Sequence, residues 1–219
     1  MENYQKILKK CNLFSGIDEK DLSALLGCLC AKKRCYKKRE IILNEGDFIK
    51  DIGIIVSGEA QILRMDYYGN RSVIATVYPS EVFGEVFACA GEKQSPVAVV
   101  AQTDSEILFI DMSKIISPCS NACLFHRQII DNLLKVLAKK NLALQQKTQI
   151  VSKRFTREKL LAFLYIQAKK HKSNKFYIEY DRQTLADYLE VDRSGLSAEI
   201  GKLQKEGILK SNKNYFELL

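Results

Sequence analysis

The apolar positions of this chain change period along its length. Over residues 4–30, Ile7, Leu8, Leu13, Phe14, Ile17, Leu22, Leu25 and Leu26 recur mostly three and four residues apart, and Asp18 stands where it caps a stretch beginning at Glu19. Two short helices are expected there. From Lys37 to Ile110 the pattern becomes short apolar runs at 41–43, 53–56, 60–63, 73–77, 97–100 and 107–110, separated by turn residues such as Asn44-Glu45-Gly46-Asp47, Ser57-Gly58 and Tyr68-Gly69-Asn70. Many short strands at even spacing predict an antiparallel roll or sandwich. Residues 82–92, with Phe83-Gly84-Glu85 and then Phe87-Ala88-Cys89-Ala90-Gly91, interrupt the roll as a short helix-like insertion.

No Gly or Pro occurs between Pro118 and Gly195, and Ile130, Leu133, Leu137, Leu144 and Val151 fall at intervals of three, four and seven. One long helix is predicted. Its regular seam, interrupted by Lys140, Asn141 and Thr148, suits pairing with a second copy of the chain. Packing of the seam on the chain's own roll gives the same spacing. Past Ser152 the expected order is a helix over 157–171, a strand over 176–180, a helix over 182–189 capped by Asp181, and a helix from Arg193 to about Glu206 capped by Asp192. Gly207 then ends the last helix, and a hairpin turns at Asn212-Lys213-Asn214.

The two close helices, with Leu185, Leu189, Val191, Leu196, Ile200 and Leu203 inward, make a helix-turn-helix followed by a β wing. The opposite face of the second helix then shows Arg193, Ser194, Ser197, Ala198 and Gly201. An arginine there reaches a guanine edge bidentately, and small neighbours let the helix sit deep in the major groove. Gln183, Arg182 and the helix N-termini are the expected phosphate contacts. A helical domain whose polar face simply meets water shares this pattern. Glu190 holds the turn position where glycine is common, and a left-handed backbone there costs a non-glycine residue ~1 kcal/mol.

Composition narrows the class. The chain has 219 residues, 47% hydrophobic and 27% charged, which excludes a disordered or collagen-like polymer. Its apolar runs fall far short of the ~20 residues that span a bilayer, and the polar start does not read as an export signal. A cytoplasmic protein without a membrane segment is expected. Seven cysteines, an odd number, suit free thiols better than a disulfide framework. Net charge is +8, and residues 152–219 carry 14 Lys and Arg against 9 Asp and Glu, a basic third that suits a polyanion partner. An enzyme is not expected: the only histidines are His126 and His171, and there is no Cys-x-x-Cys.

The order of roll, Phe83-Gly84-Glu85 insertion, long helix, Asp181-Arg182-Gln183-Thr184-Leu185-Ala186-Asp187-Tyr188-Leu189 and Asp192-Arg193-Ser194 resembles the Crp/Fnr family of bacterial transcription regulators over nearly the whole chain. The resemblance implies an α+β chain: an antiparallel β-roll of jelly-roll type at 1–117 related to cyclic-nucleotide-binding domains, a dimerisation helix at 118–151, and a winged helix-turn-helix at 152–219. It implies a homodimer on a palindromic double-stranded DNA operator, with Arg193, Ser194 and Ala198 at base-contacting positions, and RNA polymerase as a partner of activating members.

The same resemblance places an effector pocket at Phe83, Gly84, Glu85, Ser95, Pro96 and Val97. Members that bind cyclic AMP carry an arginine ten residues after the glutamate; here Ser95 stands there, followed by Pro96. Without a guanidinium partner the phosphate loses its charge-assisted pair, so cyclic AMP is not the expected ligand. Cys119, Cys123 and His126, spaced i, i+4, i+7, are the candidate metal or redox site, and Cys28, Cys30 and Cys35 form a second cluster. A metal ion or an iron-sulfur cluster is the cofactor either would take; small buried hydrophobes are the plainer reading of such cysteines. The expected function is a DNA-binding regulator switched by an effector or redox event. The alternatives are an effector module acting on a protein partner, and a thiol or metal sensor with the DNA domain as output.

Overall fold

The computed structural model describes residues 2–65, 71–117 and 124–219, and it divides into two compact units, Met1–Lys139 and Lys140–Leu219. In the first, α1 (Glu2–Lys10), a single 3-10 turn (Asn12–Phe14) and α2 (Glu19–Cys28) precede β1 (Lys32–Tyr36), β2 (Ile41–Leu43), β3 (Asp51–Ser57), β4 (Ala60–Met65), β5 (Arg71–Val77) and β6 (Val82–Phe83). Then come α3 (Glu85–Ala90), β7 (Ala98–Ala101), β8 (Ser105–Asp111), α4 (Met112–Ile116) and α5 (Leu124–Val151). The strands form two antiparallel four-stranded sheets, β1-β8-β3-β6 and β2-β7-β4-β5. This is the roll that the alternating apolar runs predict.

β3 is buried along almost its whole length because both of its faces are covered. Ile52, Ile54 and Val56 join Leu108 and Ile110 against the N-terminal helices and the α5 residues Ile129 and Leu133. Ile55 points the other way, into the roll, with Tyr36, Val77, Phe83, Val99 and Ile107. Gly53 shares that inner side, and any side chain there would run into the ring of Phe83. Asp18 does precede α2, but its carboxylate makes no capping bond; its carbonyl accepts from the amides of Asp21 and Leu22 instead.

α5 is 28 residues long and the boundary between the units falls within it. Ile130, Leu133 and Leu137 of the predicted seam pack on the first unit's own core, whereas Leu134, Leu142 and Leu144 are exposed. Asn132, buried, pins this end of the helix by donating from Nδ2 to the carbonyls of Leu13 at 3.0 Å and Ser15 at 2.7 Å. A buried amide satisfied in this way fixes orientation without leaving a polar group unpaired.

The second unit holds the end of α5, α6 (Thr156–His171), β9 (Lys175–Tyr177), α7 (Arg182–Leu189), α8 (Arg193–Lys205), β10 (Leu209–Asn212) and β11 (Tyr215–Leu218), the strands ordered β10-β11-β9. Its core joins Ile150, Phe163, Leu185, Leu196, Leu203 and Phe216. The strand expected over 176–180 stops at Tyr177: Ile178 still donates to the carbonyl of Asn214, but the Tyr180 ring turns inward onto Phe163 and Tyr188, at 5.9 and 5.3 Å. Packing of one aromatic outweighs continuation of an edge ladder.

Candidate functional site

The helix pair of the second unit is set by its caps. Asp181 accepts from the Thr184 amide at 2.8 Å and Asp192 from the Gly195 amide at 2.9 Å, so each helix begins where a carboxylate meets its orphan N–H groups. The Asp192 carboxyl is held below its ordinary range by the Ser194 hydroxyl and then by backbone amides, and the Asp181 carboxyl by Thr184, with Arg193 adding a smaller pull. A folded-state value below the unfolded one adds stability above the unfolded value of about 3.9, and that stability is lost as pH falls through the folded value. The second unit is therefore expected to lose stability below about pH 4. In Asp192→Asn part of this acid sensitivity is removed, which thermal melts between neutral pH and about pH 3 would register.

With Leu196, Ile200 and Leu203 buried, α8 leaves Arg193, Ser194, Ser197 and Ala198 exposed on one side, with Gly201 partly covered. The Ser194 hydroxyl donates to Asp192 and the Ser197 hydroxyl to the Arg193 carbonyl at 3.0 Å. Both therefore face outward as acceptors, suited to the exocyclic amines of adenine or cytosine. Among the described residues no carboxylate lies within ion-pair distance of Arg193. Gln183, also exposed, donates to Asp187 Oδ1 at 2.8 Å.

Arg182 is partly buried. Its guanidinium lies 4.9 Å from the centre of the Phe216 ring and donates from Nη2 to Ser211 Oγ at 2.5 Å, and burial lowers its pKa. Through these contacts it ties the start of α7 to the wing strands. The turn between α7 and α8 accepts the predicted strain: Glu190 has φ 54° and ψ 55°. Lys159 of α6 donates to the carbonyls of Leu189 at 3.2 Å and Glu190 at 3.3 Å, and Lys147 of α5 pairs with the Glu190 carboxylate at 3.5 Å while its ammonium lies 5.6 Å from the centre of the Tyr188 ring. In Glu190→Gly the backbone strain is relieved and the exposed ion pair is removed, for a net gain of up to ~1 kcal/mol. A lower melting temperature would show the ion pair to dominate.

In the first unit, Gly84 precedes α3 at φ 79°, a conformation that suits glycine, and Glu85 is buried behind it. Ser95 is also buried, but its hydroxyl donates to the Val97 carbonyl at 2.6 Å. Its backbone is zipped to the loop after β2: Ser95 N donates to Asp47 O and Gly46 N to Ser95 O, both at 2.8 Å. Phe83 and Val97 are buried and Pro96 is exposed. The six expected pocket residues thus bracket α3, with the serine hydroxyl spent on the chain itself.

Residues 33–121 match the family model of the cyclic nucleotide-binding domain. The cyclic AMP receptor protein of Thermus thermophilus is 26% identical over 101 residues, which are 46% of this chain and 45% of that protein's length. The solved catabolite activator protein of Thermus thermophilus aligns over 95% of this chain and 93% of its own, at 20% identity and a TM-score of 0.51. The c-di-GMP responsive global regulator CLP of Xanthomonas campestris aligns over 92% of this chain and 99% of its own, at 17% identity and a TM-score of 0.59. The chain shares the fold of these two proteins. The sequence match spans under half of the curated relative, so the shared ground is the cyclic nucleotide-binding domain together with the architecture of these regulators.

The candidate thiol and metal groups lie partly outside the matched residues 33–121. Cys119 and Cys123 lie outside the described residues; His126 is buried with Nε2 3.1 Å from the Lys114 carbonyl, to which its N–H donates. Among the described residues no three His, Cys, Asp or Glu are grouped to hold a metal ion. Cys28, Cys30 and Cys35 are exposed thiols, and Cys35 has the Glu106 carboxylate 3.9 Å from its sulfur besides its cationic neighbours. Among the described residues no helix is long and apolar enough to cross a membrane. Sequence reasoning missed Lys147, Lys159 and Arg157, the last of which pairs with both Glu199 and Glu206 beside α8. Lys159 and Arg157 meet carbonyls and carboxylates 30 to 49 residues away, beyond the reach of any local pattern.

Proposed function

We propose that this chain is a sequence-specific DNA-binding transcription regulator, acting in the cytoplasm as a homodimer joined through α5 on a palindromic site. The observation that carries this reading is α8: capped by Asp192, it turns a buried leucine and isoleucine face inward and offers Arg193, Ser194, Ser197 and Ala198 outward. The exposed Leu134 and Leu144, with the partly exposed Leu137 between them on the same side of α5, support a paired helix, since an apolar stripe on a long helix gains by being covered. The regulators that share the fold, and the cyclic nucleotide-binding match, support an arrangement of sensor and output, in which an event in the roll shifts the population of DNA-competent dimers. Under this reading the chain catalyses nothing, and RNA polymerase is the further partner when it activates.

Binding-site selection from random duplexes, followed by titration over salt, tests it. The expected result is a two-fold symmetric consensus and an affinity that falls log-linearly with salt, as counterion release requires. Retention of a partner protein with no duplex enriched would replace this reading with a protein-docking module. Loss of the symmetric consensus in a chain bearing Leu134→Glu and Leu144→Glu, with the monomer still folded, would tie the symmetry to α5.

A further inference from the structure

The mouth of the roll holds a second cavity, of about 300 Å3, between β1, β2, the 47–51 segment, β6 and β8. It takes in Phe83 and Gly84 but none of Glu85, Ser95, Pro96 and Val97, so it borders the pocket expected around α3 and shares two of its six residues. Three rings line it. Phe83 and Phe109 meet edge to face with centroids 6.3 Å apart, and Phe48 is 68% exposed beside them, a large aromatic surface with little cover from the chain itself. Gly53 is what seats Phe83, since any larger residue would push the ring into the space.

The charges around the mouth are not equivalent. Asp47 accepts at Oδ2 from the Asn44 amide at 2.7 Å and from its side chain at 3.1 Å, so one of its carboxylate oxygens is already engaged. Lys50 and Asp51 are adjacent and opposite in sign. Arg34 and Lys50 have no carboxylate within ion-pair distance among the described residues, and of the two it is the Arg34 guanidinium that is held over a ring, 5.3 Å from the centre of Phe109. A guanidinium held over a ring keeps its in-plane N–H fork available for a planar anion.

We propose that this cavity binds a small arylalkyl carboxylate, its ring against Phe48, Phe83 and Phe109 and its carboxylate on the fork of Arg34. The volume, at the low end of the roughly 300–1,000 Å3 found for ligand pockets, admits a single ring with a short chain. Binding at this site stands apart from the DNA reading; only its role as an effector rests on that reading.

The test uses phenylpropionate with the full chain, followed by calorimetry and by chemical shifts of the aromatic side chains. Saturable one-to-one binding is expected, weakened about tenfold or more for phenylpropanol, which keeps the ring and loses the charge. Arg34→Gln, on an exposed strand, should bind both probes equally weakly, whereas Phe109→Leu should weaken both and keep the preference for the acid. Absence of saturable binding, an Arg34→Gln variant that binds the acid as tightly as the parent, or phenethylamine binding as tightly as phenylpropionate would each overturn the proposal. DNA affinity measured on the same samples separates the two readings. Intact DNA binding without ligand binding defeats the cavity proposal alone, and the reverse defeats the regulator reading alone.

Discussion

Arg193→Ala is expected to flatten base preference at one position of each half-site while leaving binding to unrelated duplexes nearly unchanged. A bidentate arginine contact to guanine discriminates by ~1–3 kcal/mol, a factor of roughly five to 150 in the affinity ratio between the preferred base and its rivals. Arg193 is the long cation at the exposed start of α8, and removing it shortens no cap, because Asp192 still meets the Gly195 amide. Lys202→Ala, further along the same helix, is the contrasting case: under the DNA reading that exposed lysine, 3.5 Å from Glu199, serves as a phosphate contact, and its removal should weaken every sequence alike and lower the salt slope by about one. Selection repeated with both variants gives the answer. If Arg193→Ala weakened all duplexes equally, α8 would hold the backbone only and the base reader would lie elsewhere.

The second large effect is on stability. Phe163 is 1% exposed, and its ring packs on those of Tyr180 and Tyr188, with centroids 5.9 and 5.4 Å away. Truncation of a buried phenylalanine to alanine costs about 3–5 kcal/mol, through the forfeited transfer energy and the cavity left behind. For a unit of this size each kilocalorie moves the midpoint by roughly 4–8 °C, so Phe163→Ala should lower the second unit's transition by more than about 12 °C. Calorimetry on the full chain should show that transition moving while the roll's stays in place. A shift below about 5 °C would mean that the site collapses around the missing ring. Phe163→Leu, which keeps most of the volume, should cost under half as much.

Much of this was legible in the sequence where signals are local. The helix pair follows from Asp181, Asp192 and the leucines between them, and the roll from its short apolar runs. β1 was harder, because Lys32, Lys33, Arg34 and Cys35 are all exposed and show no alternation for a pattern to detect. The cost at Glu190 was visible from residue type, but the lysines that meet that turn were not, since they arrive from α5 and α6. The contacts of Arg182 with Ser211 and Phe216 were hidden for the same reason, since the wing strands follow about 30 residues later in the chain. The cavity at Arg34 and Phe109 was likewise hidden, because β1 and β8 lie far apart in the chain and become neighbours only through sheet pairing, which sets Arg34 opposite Ile107.

The two long outer strands of the roll carry opposite hazards. β1 is lined with lysine and arginine, whose mutual repulsion discourages another chain from adding to that edge. β5 is also an edge, seven residues long, and its Val73 and Ile74 are 56% and 50% exposed in a β-branched run without proline. Such an edge is a template for intermolecular strand addition. Fibrillar association of this protein, where it occurs, should therefore start on the β5 side of the roll and spare the β1 side.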